Sequence, residues 1–121
     1  MFSSVTLRTI PRPAPRPRFN RRGKVYVPRW YKQHIAALAQ EFRSWLDVMR
    51  KPACVYVIMH LHNSMSGDVD NIMKTILDAL VAAGIIADDD WHHVPRVTLS
   101  VFVTRDDPLC IVSVYDAENG V

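Results

Sequence analysis

Asp68-Val69-Asp70-Asn71 sets two carboxylates at i and i+2, where a small-residue loop over residues 63–67 turns into a helix. In extended chain such side chains project to the same side, so both can face one point. A second acidic group, Asp88-Asp89-Asp90, follows the same helix. Converging carboxylates raise one another's pKa and destabilise the fold unless a cation neutralises them, and hard oxygens suit a divalent ion such as Mg2+ or Mn2+. A site of this kind activates water against a phosphodiester and stabilises charge on the attacking and leaving oxygens. Spacing alone also admits a plainer reading: Asp68 as a helix N-cap, Asp70 as a first-turn acid favoured by the helix dipole, and the Asp triplet as a solvated turn. Lys74 lies one turn after Asp70 and one before Asp78. It is a cation over the scissile phosphate on the first reading and half of a surface ion pair on the second. A calcium loop of the EF-hand kind is excluded, because Ile72 stands at the fifth position and Ala79 where the closing glutamate is required.

The helix that must present these groups reads clearly. Over residues 70–83, Ile72, Met73, Ile76, Leu77, Ala79, Leu80 and Ala83 fall on one arc at 100° per residue. Asp70, Asn71, Lys74, Thr75 and Asp78 fall on the opposite arc, and Gly84 supplies a left-handed cap. A longer helix is expected from Pro28 to about Arg50, with Ile35, Leu38, Ala39, Phe42, Trp45, Leu46 and Met49 as its apolar stripe. Residues 4–10, 53–62, 97–104 and 109–115 have the composition of strands, and residues 24–27 read as extended. The turn Arg105-Asp106-Asp107-Pro108 predicts that the last two strands form a hairpin. The order β, arm, α, β, α, β, β implies a single α/β domain, a mixed sheet with two main helices packed on it.

Charge divides sharply along the 121 residues. The first 40 carry nine basic groups and no acid, whereas the remainder carries six basic groups against twelve acids. The basic end contains Arg16, Arg18, Arg21, Arg22 and Lys24 around Phe19, within a basic arm or loop over residues 11–24. Pro11, Pro13, Pro15 and Pro17 remove every second backbone donor there, which forces extended, polyproline-like chain and argues against the amphipathic helix of a transit peptide. Such an arm suits a polyanion, and six phosphate contacts would give a slope of log affinity on log salt of roughly −5. Apolar residues at 49% and charged residues at 22% describe a chain that folds, and its length allows one core. The expectation is an intracellular protein with no membrane association, because a run of about 18 apolar residues and a secretory signal are both missing. Cys54 and Cys110 sit in apolar runs and read as reduced, buried thiols.

The run Asp68-Val69-Asp70-Asn71-Ile72-Met73-Lys74, followed by Asp78-Ala79-Leu80, Gly84 and Asp88-Asp89, resembles the D-x-D-N-x-x-K…D-A-L…G…D-D signature of the RusA family of Holliday junction resolvases. Pro15-Arg16-Pro17-Arg18-Phe19 through Arg21, Gly23, Tyr26 and Pro28 also resembles the basic N-terminal segment of phage-type members. The resemblance implies a homodimeric, Mg2+-dependent endonuclease that nicks four-way DNA junctions in pairs, in a prokaryotic cell or a phage-infected host. It maps the family's metal-holding catalytic aspartates onto Asp68, Asp70 and Asp89 and its lysine onto Lys74, with Asp88 and Asp90 as alternatives for the third acid. Ser66-Gly67 stands where family members commonly carry a basic residue before the first aspartate, and Asp90-Trp91-His92-His93 intervenes before Val94.

Other residues have competing readings. His60 and His62 share a strand face and His92-His93 lies in the acidic loop, so a zinc site can be drawn, although the aspartates account for the region without one. Trp30 and Trp45 read as packing residues of the long helix. Trp91 and Phe19 suit either stacking on a base or packing. Two further functions compete with the junction nuclease: a non-catalytic DNA-binding or recombination accessory protein that uses the arm alone, and a metal-dependent phosphohydrolase acting on nucleotides or RNA.

Overall fold

The computed structural model describes residues 2–117. The elements in chain order are β1 (Phe2–Thr6), β2 (Arg18–Phe19), β3 (Val25–Tyr26), α1 (Arg29–Trp45), β4 (Ala53–Leu61), α2 (Val69–Ala82), β5 (Arg96–Val103) and β6 (Leu109–Asp116). Four strands form a mixed sheet in the order β1-β6-β4-β5, and β2 pairs with β3 separately. The expected α/β class, a single small domain with two helices on a mixed sheet, is what the chain adopts.

Register explains which face the helices cover. Val57 of β4 sits opposite Leu99 of β5 on one side and Val112 of β6 on the other, and Val112 in turn opposes Val5 of β1. This apolar row, with Val55, Met59 and Val114, packs against Leu38 and Phe42 of α1 and Ile76 and Leu80 of α2 in one core. Burying each large side chain contributes about 1.5–3 kcal/mol before entropy is charged. The opposite face alternates out of phase and carries Phe2 beside Tyr115 and His60 stacked on Phe102.

The expected hairpin between the last two strands does not form. β5 pairs parallel to β4, and β6 pairs antiparallel to β4 along its other edge. The connecting turn therefore passes over the end of β4, where the Thr104 N–H donates to the Leu61 carbonyl and a His62 ring nitrogen meets the Asp106 carbonyl at 2.7 Å. A turn motif specifies the reversal of direction, not the neighbour; β4, whose Ala53, Cys54, Val55, Val57 and Met59 are buried, is the strand whose burial decides the pairing.

α1 also stops earlier than the periodicity implies. Leu46 is extended, yet Leu46 and Met49 are buried. The Asp47 N–H donates to Ser3 Oγ and the Met49 N–H to the Ile85 carbonyl, so tertiary partners replace the helical ladder while the apolar spacing persists. Trp45, expected to pack, is 68% exposed at the helix end.

Candidate active site

α2 carries most of the candidate chemistry. Six of the seven residues of its apolar arc are buried, Leu77 is partly buried against the core, and Thr75, placed on the polar arc, is fully buried. Its hydroxyl donates to the Arg12 carbonyl at 2.6 Å, which places the root of the basic segment on the helix. The Ala14 N–H donates to the Asn71 carbonyl at 2.9 Å, and the Arg12 guanidinium lies 4.1 Å from the Trp30 ring centroid. The Arg12 N–H donates to His34 Nε2, so that nitrogen must be unprotonated; burial first and the Arg12 charge second hold the His34 pKa below its ordinary value. The segment over residues 11–18 is thus not an extended arm along its whole length. Its first four residues are a strap across the start of α2, and only beyond them does it emerge.

The emergent part turns back on itself. Arg18 pairs with Tyr26 and Phe19 with Val25, and Asn20 closes the turn by accepting the N–H groups of Arg22 and Lys24 on its side-chain oxygen. Gly23, with φ +75°, takes the left-handed position in that turn. Arg16, Arg18, Phe19, Arg21, Arg22 and Lys24 are all exposed.

The strap bears directly on the loop before α2. Gly67 has φ +144°, and a Cβ added there would overlap the Pro13 ring. Gly67→Ala therefore combines a backbone conformation that L-residues avoid with a clash against the strap. It is expected to destabilise the fold by about 2–4 kcal/mol, read as a lower denaturant midpoint at unchanged slope. A midpoint within error of wild type would show that the strap does not seat on this loop.

The aspartates separate by what their oxygens already do. Asp68 occupies the N-cap position of α2 but makes no capping hydrogen bond with its side chain, so the plain capping reading does not account for it. Asp70 lies in the first turn, where the helix dipole favours its charge. Asp78 is engaged, accepting the Tyr31 hydroxyl at 2.6 Å and facing Lys74 Nζ at 3.3 Å. Asp88 accepts the Asp89 N–H. Asp90 accepts from the His93 backbone and faces its ring Nδ1 at 2.6 Å, and these bonds hold its carboxyl below the usual range. Asp88, Asp90 and His93 form a compact exposed group with ligand atoms within 4.8 Å of one another. Among the described residues, no hydrogen bond or ion pair engages the carboxylates of Asp68, Asp70 or Asp89.

An open cleft of ≈ 480 Å³ runs beside α2, with Val97 and Leu99 of β5 along it and Val69, Met73 and Leu77 on the helix side. Asp70, Lys74 and Asp89 line it together. Of the three acids after α2, the one that reaches this cleft is Asp89. Asp68 precedes Val69 in the chain but is not among the residues that line the cleft.

The remaining candidates fall elsewhere. His60 stacks on Phe102 and a His62 ring nitrogen meets the Asp106 carbonyl, and neither belongs to the compact group of Asp88, Asp90 and His93. Trp91 is 72% exposed and stacks on His92 at 3.7 Å between centroids. Both cysteines are buried and free, and burial, reinforced by the Glu41 charge, pushes the Cys110 thiol up to about 12. No helix among the described residues is long and apolar enough to cross a membrane. Sequence reasoning did not single out Tyr31, whose only signal was its place four residues before Ile35 and seven before Leu38, in line with the apolar stripe.

No curated protein matches the chain. A family model described as endodeoxyribonuclease RusA matches residues 9–115, a span that takes in the strap, both helices and every acid lining the cleft. That coverage, nearly the whole chain, makes it a member of the RusA endodeoxyribonuclease family.

Proposed function

We propose that this chain is a divalent-metal-dependent endonuclease that resolves four-way DNA junctions by paired nicks, acting as a homodimer. The observation that carries the proposal is the shared cleft: two unengaged aspartates, Asp70 and Asp89, and a cation, Lys74, open to solvent on one surface. The donor chemistry suits a hard ion, because the carboxylates of Asp68, Asp70 and Asp89 have oxygens not spent on the protein, although among the described residues the compact ligand group is Asp88, Asp90 and His93, and Asp68, Asp70 and Asp89 are not drawn together in that way. These three residues would hold Mg2+, with Mn2+ as its usual substitute. When bound, such an ion supplies activation of water and neutralisation of the phosphate.

The chain's own residues supply the rest. Lys74 offers three N–H donors to the scissile phosphate or to the charge that develops on it. The exposed hairpin, with Arg16, Arg18, Arg21, Arg22 and Lys24, meets the phosphates flanking the cut, and Phe19 among them offers a stacking face. Two copies related by a two-fold axis match a substrate of near two-fold symmetry and set two nicks in opposed strands.

A synthetic four-way junction incubated with the full chain and Mg2+ is the direct test. Symmetric nicking that disappears in chelator is expected, with linear duplex of the same sequence left intact. Tight binding without cleavage at any divalent ion would assign the chain to a non-catalytic accessory role. Equal cleavage of junction, duplex and RNA would make it a general phosphodiesterase.

A further inference from the structure

Among the described residues Lys74 is the one cation lining the cleft, yet its side chain is more than half exposed and ends a flexible four-carbon stem. An exposed lysine paired with an acid one turn away is ordinarily a weak tether, because both side chains must be ordered to make the pair. Here one of them is ordered already. Asp78 accepts the Tyr31 hydroxyl at 2.6 Å across the interface between α1 and α2, a contact spanning 47 positions of sequence. Tyr31 is itself fixed: it is buried, and the Trp30 ring meets it edge-on at 5.6 Å. Both Asp78 oxygens then lie 3.3–3.4 Å from Lys74 Nζ. Burial, with the Asp78 bond behind it, raises the Tyr31 pKa above its ordinary value, so the phenol remains a donor throughout the range in which DNA is handled.

We infer that Tyr31 is a positioning residue for Lys74, acting through Asp78. Tyr31 fixes the carboxylate from below, the carboxylate anchors one side of the ammonium, and the remaining N–H donors are left facing the cleft. The ordering entropy of the lysine is then settled in the fold and not at the moment the phosphate arrives. The inference rests on the role given to Lys74 above, and the test is arranged so that the two can fail separately.

Single-turnover nicking of the junction by saturating folded protein would be measured for wild type, Tyr31→Phe, Asp78→Asn, Lys74→Ala and the Tyr31→Phe/Lys74→Ala pair. Tyr31→Phe keeps the ring and loses the hydroxyl; Asp78→Asn keeps an oxygen for Tyr31 and loses the charge that holds Lys74. Each is expected to slow the nicking step about fivefold to tenfold with junction affinity unchanged, and Tyr31→Phe is expected to cost nothing further once Lys74 is alanine. A purely structural effect of Tyr31 would multiply with the loss from Lys74→Ala, and that outcome overturns the inference. So does a normal rate for Tyr31→Phe alongside a slow Lys74→Ala, which leaves the lysine's role standing. A normal rate for Lys74→Ala removes the lysine's role and the inference with it.

Discussion

Asp70→Asn is expected to lower the nicking rate on a four-way junction by more than about 100-fold while leaving junction affinity within about twofold. The magnitude follows from what the substitution removes. Changing groups that merely support a metal ligand costs on the order of 10–100-fold, and loss of a ligand's charge costs more. The amide keeps the shape of the acid, and Asp70 is exposed with no protein partner, so nothing in the core changes. The stability effect is limited to the loss of a favourable charge in the first turn of α2, about 0.3–1 kcal/mol. Asp89→Asn is expected to behave alike, since Asp89 lines the same cleft. Asp90→Asn provides the contrast: its carboxylate serves the His93 backbone and ring, so its loss loosens the turn over residues 90–94 and spares the rate. A gel assay of nicking beside a binding titration separates these outcomes. An Asp70→Asn protein that nicks at the wild-type rate would remove Asp70 from the metal site.

What could be read in advance divides along the line between local and non-local physics. The α2 wheel depends on one helix and one solvent, and six of its seven apolar positions are buried or lie in the core cluster as the period requires, with Leu77 packed against that cluster. Thr75 departs because its burial is imposed by a segment more than 60 positions away, and no helical period encodes a strap. The strand segments were visible from their β-branched content, but their neighbours were not: Arg105-Asp106-Asp107-Pro108 reverses the chain equally well for a hairpin and for a turn that steps over β4. The end of α1 was obscured because Leu46 and Met49 keep the apolar spacing after the helical hydrogen bonds have stopped.

The candidate site shows the same division. The place of Asp68 before α2 and of Asp70 in its first turn was legible, because two residues and a helix start fix it. Asp88, Asp89 and Asp90 could not be ranked by spacing, since adjacent side chains in a turn point in different directions. The structure separates them by use, with Asp90 committed to His93, Asp88 to the backbone of its neighbour, and Asp89 lining the cleft. The Lys74–Asp78 pair was visible as an i, i+4 spacing. Tyr31 was not, because its partner lies on another helix.

Replacing Arg18, Arg21, Arg22 and Lys24 together by glutamine is expected to weaken junction binding on the order of 1,000-fold at 0.1 M salt, with the difference closing as salt approaches 1 M. Each phosphate contact releases condensed counterions and contributes about −0.9 to the slope of log affinity on log salt, so four lost contacts flatten that slope by between about 3 and 4. The four residues are chosen because the fold has no other use for them: all are exposed on the β2–β3 hairpin or its turn, and that two-pair ribbon is held by backbone bonds and the Asn20 side chain. Arg12 is the internal control. It belongs to the same basic segment, but its guanidinium lies on Trp30, so Arg12→Ala, which removes that contact, is expected to lower the melting temperature and leave the salt slope nearly unchanged. The cleft is untouched by the fourfold replacement, and nicking at saturating enzyme and low salt should therefore keep its rate. An unchanged salt slope would mean that the nine uncompensated charges of the first 40 residues face something other than the phosphate backbone. A lost rate at saturation would mean that the hairpin reaches the reacting phosphate itself.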